Sequence, residues 1–536
     1  MKINVKSDCR GVEVKDVVKQ ILKDRGIKNK KKFLNPSVND MLPLTDLKNV
    51  DKAWDIICHV INDYKSIALS WDPDLDGLTS GTIMYKYLSN FGANVTNFIN
   101  DGKDHGLNKN DLDKYKQYDL LIIVDSLDNT IDNYKKVQEN SNVKNVIVLD
   151  HHAINPDIPY DDYITLVSSQ RDYGNTELSG AGVVWKFCKY VDSIERTNFA
   201  DDLVDLAGAG IVGDMSSMIA PENRYIVNEC LKEIKNPTIK KIVGGFGWDS
   251  KAIAFSIAPL VNASMRMNKN QVAMDAFMTN DNATLLADLR VLKKCKEAQN
   301  QEVQACMADI EEQIKPQLDK KMLVVVIDTE HSVSGLVGNI LLDKYKRPIL
   351  IVKDTGTHYV GSMRAVGVDD FMGLINESGL GKAMGHELAA GVDIPKENLG
   401  ALIEYMELVL PDVGTYEETI DADVWVNACD IDRYYIDEIQ KLNKISGTGF
   451  PSIRVYLSGI QGYHVTDMSQ GKHLVIELPD TALKLIQWNF KGSWDEFEED
   501  ELFDFPLEAV VQLQSGWLGK NFWLQGIIDY IGVEDS

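Results

Sequence analysis

Acidic side chains are crowded into "ALSWDPDLDGLTSG" (68–81), directly after an apolar run. The alternate positions are Asp72, Asp74 and Asp76. Hard divalent cations prefer carboxylate oxygens, and residues i and i+2 of an extended chain project to the same side. The spacing predicts metal ligands at a strand end, with Gly77 turning the chain into a helix from near Ser80. A helix-capping loop or a calcium-like loop fits the same residues.

Acid and imidazole groups also follow other apolar segments. "LLIIVDSLDN" supplies Asp125, and "VIVLDHHAINP" supplies Asp150, His151 and His152. Asp214 follows the glycine-rich "LAGAGIVG", which reads as a helix or a turn. A lone aspartate in such a place is often a helix cap, and a lone histidine is often a satisfied core residue. One acid beside two imidazoles is costly to keep unless the group coordinates or catalyses.

Short apolar runs alternate with helical stretches from Ser66 to about Ile226. The runs are "SIALSW", "NVTNFI", "YDLLIIVDS" and "NVIVLDHH". This alternation predicts βαβ units and a parallel sheet. In an open α/β sheet the carboxyl ends of the strands meet at one crevice, so the three acidic clusters that follow strands are expected to face a single cleft.

The rest of the chain divides into segments with different patterns. Residues 282–314 have helical periodicity and predict a long connecting helix, and "KMLVVVID" and "RPILIVKD" predict strands of a second, smaller α/β domain. Alternating segments after Pro411 predict a small β-barrel, an OB-fold. The predicted domains are a parallel-sheet domain with its N-terminal segment (1–240), a connecting region (241–320), the second domain (321–411) and the barrel (412–536).

Composition limits the classes of function. The formal net charge of −25 argues against a non-specific binder of polyanions, so attraction to nucleic acid would have to be local or carried by metal. The seven cysteines form no CxxC pair, which favours a reducing compartment and no zinc ribbon. Neither a signal peptide nor a membrane-spanning run is recognisable. We therefore expect a cytoplasmic protein.

Four signals in this order resemble the motifs of the DHH phosphoesterase superfamily: "DPDLDG", "VDS", "LDHH" and "VGDM". Later segments resemble RecJ-type single-strand DNA exonucleases, with likeness extending over nearly the whole chain. These segments are "APENRYIVNECL", "IAPLVNASMRM", "VSGLVGNILLDKYKRPILIV", "GSMRA" and "AMGHELAAG".

The resemblance implies two metal ions, either Mn²⁺ or Mg²⁺, since these ions share ligands. One ion would be held by Asp74 and Asp125. The other would be held by Asp76, Asp125, His151 and Asp214, with Asp125 bridging. Asp72 matches an acid of the same motif, and its contact is open.

The resemblance also implies the groups around the metals. His152 would sit beside the scissile phosphate, and Asp150 would orient an imidazole. Arg364 and His386 would be phosphate contacts, and Gly385 would let backbone N–H groups approach phosphate. Arg266 belongs to the matching P-x-x-N-A-x-x-R segment and is a candidate substrate contact. A simpler reading of "GHELAAG" is a helix start packed by small residues.

The chain departs from the family in several places. Met384 stands where the family has a glycine before Gly-His, and "VSSQRDYG" replaces an Asn-Pro after the DHH strand. The acidic "WDEFEEDE" (494–501) would repel a phosphate backbone if it lay in a binding groove. A solvated loop and a docking site for a basic partner are the two readings of this segment.

The sequence thus predicts a two-metal exonuclease that degrades single-stranded DNA from 5′ to 3′ to mononucleotides, in DNA repair, recombination or replication. The barrel would bind the strand by stacking, with Trp488, Phe490 and Arg454 as weak candidates. A single-strand-binding protein or a helicase is a possible partner, and a monomer is expected. The alternative enzyme is a DHH-type phosphodiesterase acting on short oligonucleotides or cyclic dinucleotides. A catalytically silent replication scaffold is disfavoured, because the metal acids are all present.

Overall fold

The computed structural model describes residues 2–99, 105–244, 247–329, 333–468, 472–478, 481–490, 502–503, 506–518 and 521–533. The chain forms two compact units. The larger unit contains Lys2–Asn262, Asn270–Leu286 and Thr419–Ser536, and the smaller unit contains Ala263–Lys269 and Ala287–Glu418. The finer division predicted from the sequence, with boundaries near residues 240, 320 and 411, stays a prediction.

A parallel sheet lies at the centre of the first half of the larger unit. The first strands of the chain are β1 (Lys2–Asp8), β2 (Ser66–Trp71), β3 (Asn94–Ile99), β4 (Leu120–Val124), β5 (Asn145–Asp150) and β6 (Thr165–Ser168). The last five form one parallel sheet in the order β3-β2-β4-β5-β6. Strand β4 is apolar and buried at every position, as expected for a sheet covered on both faces. The predicted α/β class is confirmed.

Helices connect and cover these strands. They are α1 (Val14–Asp24), α2 (Lys30–Leu34), α3 (Val50–Asn62), α4 (Leu75–Ser89), α5 (Ile131–Gln138), α6 (Gly180–Glu195), α7 (Val204–Gly213), α8 (Pro221–Cys230) and α9 (Pro237–Val243). Helices α4, α6 and α7 pack against one another, and α4 also packs on β2 and β3. This packing brings the ends of three helices to the polar edge of the sheet.

A run of helices leads towards the smaller unit. After α10 (Ser250–Ala252) the chain forms a π-helix (Ile253–Ile257), α11 (Ala258–Arg266), α12 (Asn270–Met278) and α13 (Asn282–Ile314). Helix α13 has the bounds that the sequence predicts for the long helix. Its residues belong to both units.

The smaller unit is built on a second sheet. Its elements are β7 (Leu323–Val326), α14 (Ser334–Tyr345), β8 (Ile349–Asp354), β9 (His358–Arg364), α15 (Phe371–Glu377), β10 (Lys382–His386), β11 (Ala389–Pro395) and α16 (Leu399–Val409). The strand order is β10-β11-β9-β8-β7, with β7 and β8 parallel and the other pairs antiparallel. The two strands predicted from "KMLVVVID" and "RPILIVKD" are found as β7 and β8.

The C-terminal part of the larger unit is a nine-stranded mixed sheet. Its later elements are β12 (Thr419–Val426), α17 (Arg433–Asn443), β13 (Val455–Ile460), β14 (Tyr463–Met468), β15 (His473–Glu477), β16 (Leu483–Gln487), β17 (Leu502–Phe503), β18 (Leu507–Leu518) and β19 (Asn521–Val533). The strand order is linear, β1-β12-β13-β18-β19-β16-β15-β14-β17. The predicted OB-fold barrel is therefore not confirmed. Strand β1 lies parallel to β12, a pairing that local patterns did not indicate.

Two further points concern sequence predictions. Among the described residues, none of the helices combines the length and the apolar character needed to cross a lipid bilayer. The acidic segment 494–501 lies outside the described residues.

Candidate metal centre

The predicted convergence of polar groups at strand ends is found in the structure. Asp72 directly follows β2, Asp125 directly follows β4, and Asp150 is the last residue of β5. These strands are neighbours in the parallel sheet, so their carboxyl ends lie at one edge. Asp214 reaches the same place as the residue that ends α7.

The first acidic motif does not continue as an extended strand. Helix α4 begins at Leu75, five residues before the predicted start, and the Asp74 carboxylate caps it by accepting a hydrogen bond from Gly77 N (3.0 Å). A Cβ atom on Gly77 would lie 2.2 Å from the carbonyl oxygen of Asp72. Gly77 is thus needed for a close backbone approach and not for the sharp turn that we predicted.

Capping and metal binding are compatible at Asp74. Its capping bond involves one carboxylate oxygen, Oδ1, and leaves the group near the other acids. Burial raises the pKa of the Asp74 carboxyl to about 6, and the charge of Asp72 adds to the rise.

Asp76 lies in the first turn of α4 and is buried. Its carboxylate accepts hydrogen bonds from Ser179 Oγ (3.0 Å), Gly180 N (2.7 Å) and Ala181 N (3.0 Å), at the N-terminus of α6. The positive end of a helix dipole favours such an anion. Burial, with the charges of Asp214 and Asp74, nevertheless raises the pKa of Asp76 well above its usual range.

Asp125 is the most constrained acid of the group. Its φ of 55° lies in the left-handed region, and its side chain is buried. Its Oδ1 atom accepts no hydrogen bond from any described residue, although His151 Nε2 lies 3.2 Å away. Burial, together with the charges of Asp76 and Asp74, raises the pKa of Asp125 well above its usual range. A buried carboxylate oxygen without a donor fits a cation ligand.

His151 lies among three acids. Its Nε2 atom is 3.2 Å from Asp125 Oδ1 and 3.7 Å from Asp76 Oδ2, and its Nδ1 atom is 3.8 Å from Asp214 Oδ2. Burial lowers the pKa of His151, which favours the neutral imidazole that a metal requires. Ligand atoms of Asp76, His151 and Asp214 all lie within 4.8 Å of one another, a spacing that can hold a metal ion.

Asp150 and His152 form a different kind of pair. Asp150 accepts hydrogen bonds from Leu127 N, His152 N (2.8 Å) and His152 Nδ1 (2.7 Å). Asp150 accepts a hydrogen bond from the ring nitrogen of His152 and can therefore orient that imidazole, and it also lies close to Asp125. Burial opposes protonation of His152, but its bond to Asp150 outweighs this and raises the pKa of His152 to about 9.

Asp72 is turned towards a residue that sequence reasoning missed. Its Oδ1 atom accepts from His105 Nδ1 (2.8 Å) and Ser126 Oγ (3.1 Å). Burial lowers the pKa of His105, but the hydrogen bond to Asp72 outweighs it and the pKa rises. His105 stands six residues after the end of β3, and no pattern in the sequence indicated it.

The other predicted site residues lie in the smaller unit. Arg364 ends β9, and its Nε donates to Asn339 Oδ1 (2.8 Å). Burial lowers the pKa of Arg266, and the nearby Arg364 guanidinium adds to the effect. The Nε atom of Arg266 is buried and has no hydrogen-bond partner among the described residues. Lys296 belongs to the same cationic group. Burial lowers the pKa of Lys296, and the charge of Arg266 lowers it further. No pattern in the sequence indicated this lysine.

"GHELAAG" forms a β-hairpin, so the reading as a helix start is wrong. His386 of β10 and Arg364 of β9 both pair with Ala389 of β11, one from each side. Residues in register on adjacent strands project to the same face, so Arg364 and His386 lie on one face with a small residue between them. Gly385 has a φ of 144°, and a Cβ there would lie 2.9 Å from Ala390 Cα.

Comparisons with known proteins agree with this description. Residues 66–211 match the model of the DHH family, N-terminal domain, so the chain carries a DHH domain. It is 28% identical over 461 residues to YorK of Bacillus subtilis, an SPbeta prophage-derived protein provisionally named a single-strand DNA-specific exonuclease, covering 78% of this chain and 79% of YorK. It is 25% identical over 473 residues to the single-stranded-DNA-specific exonuclease RecJ of the same species, covering 83% of this chain and 58% of RecJ.

Solved structures give the same fold. The crystal structure of RecJ from Thermus thermophilus in complex with Mn²⁺ superposes with a TM-score of 0.79 at 20% identity, covering 100% of this chain and 80% of RecJ. The same protein in complex with Mg²⁺ gives a TM-score of 0.71. The chain therefore has the fold of RecJ.

Proposed function

We propose that the protein is a two-metal exonuclease that hydrolyses single-stranded DNA from 5′ to 3′, releasing mononucleotides in DNA repair, recombination or replication. The observation that carries the proposal is the grouping of Asp76, His151 and Asp214, together with the unpaired oxygen of Asp125 that lies 3.2 Å from His151 Nε2. The names of YorK and RecJ supply the substrate class.

The carboxylates would hold two ions, Mn²⁺ or Mg²⁺. Asp74 and Asp125 would hold one, and Asp76, Asp125, His151 and Asp214 would hold the other. Such a pair of ions, when bound, lowers the pKa of water and neutralises charge on phosphoryl oxygens. The raised pKa values of three of these acids support the assignment, because a cation would relieve their mutual repulsion.

His152 would contact the scissile phosphate. A group whose pKa is about 9 is protonated at neutral pH, and a protonated ring can donate to an anionic oxygen. Its Nδ1 is held by Asp150, so Nε2 is the atom left to donate.

The cations of the smaller unit would bind phosphate. The positive charges of Arg266 and Arg364 repel each other, and a bound anion would relieve that repulsion. His386 lies on the same sheet face as Arg364. Gly385 would provide a backbone N–H close to the same anion.

The C-terminal sheet would bind the incoming strand as an OB-fold-type module. Trp488 is 45% exposed and offers a ring for stacking on a base. Arg454 is a weaker candidate than predicted, because its guanidinium pairs with Asp529 (2.8 Å). We further propose a cytoplasmic monomer recruited by a single-strand-binding protein or a helicase.

End-labelled DNA tests the function. With Mn²⁺, a 5′-labelled single strand should release labelled mononucleotide at once, while a 3′-labelled strand should shorten progressively. Asp125→Ala should abolish both, whereas Asp132→Asn, an exposed acid on α5, should not. Equal activity of Asp125→Ala would refute the metal assignment, and faster cleavage of cyclic dinucleotides would favour the alternative phosphodiesterase.

A further inference from the structure

His105 makes a hydrogen-bond bridge across the polar edge of the parallel sheet. Its Nδ1 atom lies 2.8 Å from Asp72 Oδ1, and its Nε2 atom lies 3.2 Å from the carbonyl oxygen of Leu127. A carbonyl oxygen can only accept, so Nε2 carries a hydrogen and donates it. Both ring nitrogens are therefore engaged with protein, and neither is left for substrate.

The Asp72 carboxylate is committed to the same bridge. Its Oδ1 atom accepts from His105 Nδ1 and from Ser126 Oγ (3.1 Å), while Ser126 Oγ in turn accepts from Gly106 N (2.9 Å). The contacts of Asp72 thus differ from those of Asp125, whose Oδ1 atom accepts no hydrogen bond from any described residue.

The bridge packs directly on His152. The ring centroids of His105 and His152 are 4.3 Å apart, and those of His151 and His152 are 4.6 Å apart. His152 is therefore flanked by two imidazoles, while Asp150 holds its Nδ1 atom at 2.7 Å. Removing His105 would free one side of the ring.

We propose that Asp72 is a positioning residue that acts through His105, which fixes the ring of His152, and that Asp72 is not a metal ligand. This inference rests on the proposed function, in which His152 contacts the scissile phosphate. A catalytic group displaced by 1 Å can lose about 10²-fold in rate, so the pair is expected to affect kcat.

A double-mutant cycle with Asp72→Asn and His105→Ala tests the inference. Each single variant should lower kcat about 10- to 100-fold with little change in KM. The double variant should be no slower than the worse single variant, because both substitutions break one unit. His59→Gln, an exposed histidine on α3, is the matched control. His105→Gln, which keeps one hydrogen bond, replaces the alanine variant if that variant unfolds.

Metal affinity separates the inference from the proposed function. Titration calorimetry of the metal-free protein with Mn²⁺ should give the same affinity within about threefold for the wild type, Asp72→Asn and His105→Ala, while Asp76→Asn should lose on the order of 10-fold or more. Ring signals of ¹⁵N-labelled His152 should shift alike in Asp72→Asn and His105→Ala. Neither readout requires nuclease activity.

Two results would overturn the inference. One is a loss of Mn²⁺ affinity of about 10-fold or more in Asp72→Asn but not in His105→Ala, which would make Asp72 a ligand. The other is additive losses in kcat, or an unshifted His152 signal, which would separate the two residues.

Discussion

The metal centre of the larger unit and the cationic group of the smaller unit are both clusters of like charge. In the first, burial and neighbouring acids raise the pKa values of Asp74, Asp76 and Asp125. In the second, burial and Arg364 lower the pKa of Arg266. In each cluster, repulsion between like charges is relieved when an ion of opposite charge binds. The acidic cluster therefore suits a cation, and the cationic group suits a phosphate.

The clusters also differ in how they are held. Asp76 is fixed by hydrogen-bond donors at the N-terminus of α6. Two glycines leave room for the acids: a Cβ on Gly180 would lie 2.4 Å from Asp125 Oδ1, and a Cβ on Gly210 would lie 2.4 Å from Asp76 Oδ1. Arg364 is instead presented on an antiparallel sheet. The acids are therefore more tightly constrained than the cations, and substitutions in them should have larger effects.

The largest effect is expected for Asp125→Asn. Asparagine tolerates the left-handed φ of 55° at this position, so the backbone should be kept while the charge is lost. Activity should fall by at least about 10³-fold, since this carboxylate would serve both ions. The metal-free protein should become more stable, because an uncompensated buried charge is removed. Steady-state rates and thermal unfolding in EDTA measure the two effects, and a lower melting temperature in EDTA would contradict the repulsion argument.

The next effect is a dependence of stability on pH in the metal-free protein. The folded pKa of Asp74 is about 6 and its ordinary value is 3.8, so the folded state holds the proton more tightly between these values. The contribution of Asp74 to the free energy of unfolding is therefore largest below about pH 4. It falls by about 3 kcal/mol as the pH rises through 6. Saturating Mn²⁺ should remove this loss. Urea unfolding at several pH values, with EDTA or Mn²⁺, measures it, and an unchanged slope with metal would contradict a ligand role for Asp74.

The contrast between the regions also explains what could be predicted. Strand β2 matches its predicted run residue for residue, because its buried residues lie between the polar Lys65 and Asp72. Strand β3, which is partly exposed, also matches its predicted run. The position of Asp72 at the end of β2 followed from that. The predicted start of α4 is wrong, because the alternate aspartates do not continue the strand and Asp74 instead caps the helix.

Long-range features were beyond local patterns. Strand β1 pairs with β12, and Asn4 Nδ2 donates to Asp421 Oδ1 across the chain, a contact that periodicity cannot reveal. His105 stands six residues after β3, too far from the strand end for its hydrogen bond to Asp72 to follow from the strand pattern. The cationic group around Arg266 required the resemblance, because single arginines carry no signal of their own.

A smaller effect is expected in the cationic group. Arg364→Met should raise KM about 10-fold while kcat changes little, because a phosphate contact shared by ground and transition states contributes to binding alone. The loss should shrink at higher salt, since screening weakens the contact in the wild type as well. Arg347→Met, whose guanidinium binds backbone carbonyls of Leu318 and Lys320 in the same unit, is the control. A fall in kcat with unchanged KM would instead assign Arg364 to the transition state.

The smallest effect concerns the hairpin that carries His386. Gly385→Ala should destabilise the smaller unit by about 1 to 3 kcal/mol, because φ is 144° and the new Cβ would lie 2.9 Å from Ala390 Cα. Gly391→Ala on the neighbouring strand is the matched control, since the nearest atoms to its Cβ would lie 3.8 Å away. Thermal unfolding of both variants measures the difference. Mn²⁺ affinity should be unchanged in both variants, because the candidate metal ligands lie in the larger unit. Equal melting temperatures of the two variants would show that the backbone at position 385 does not require glycine.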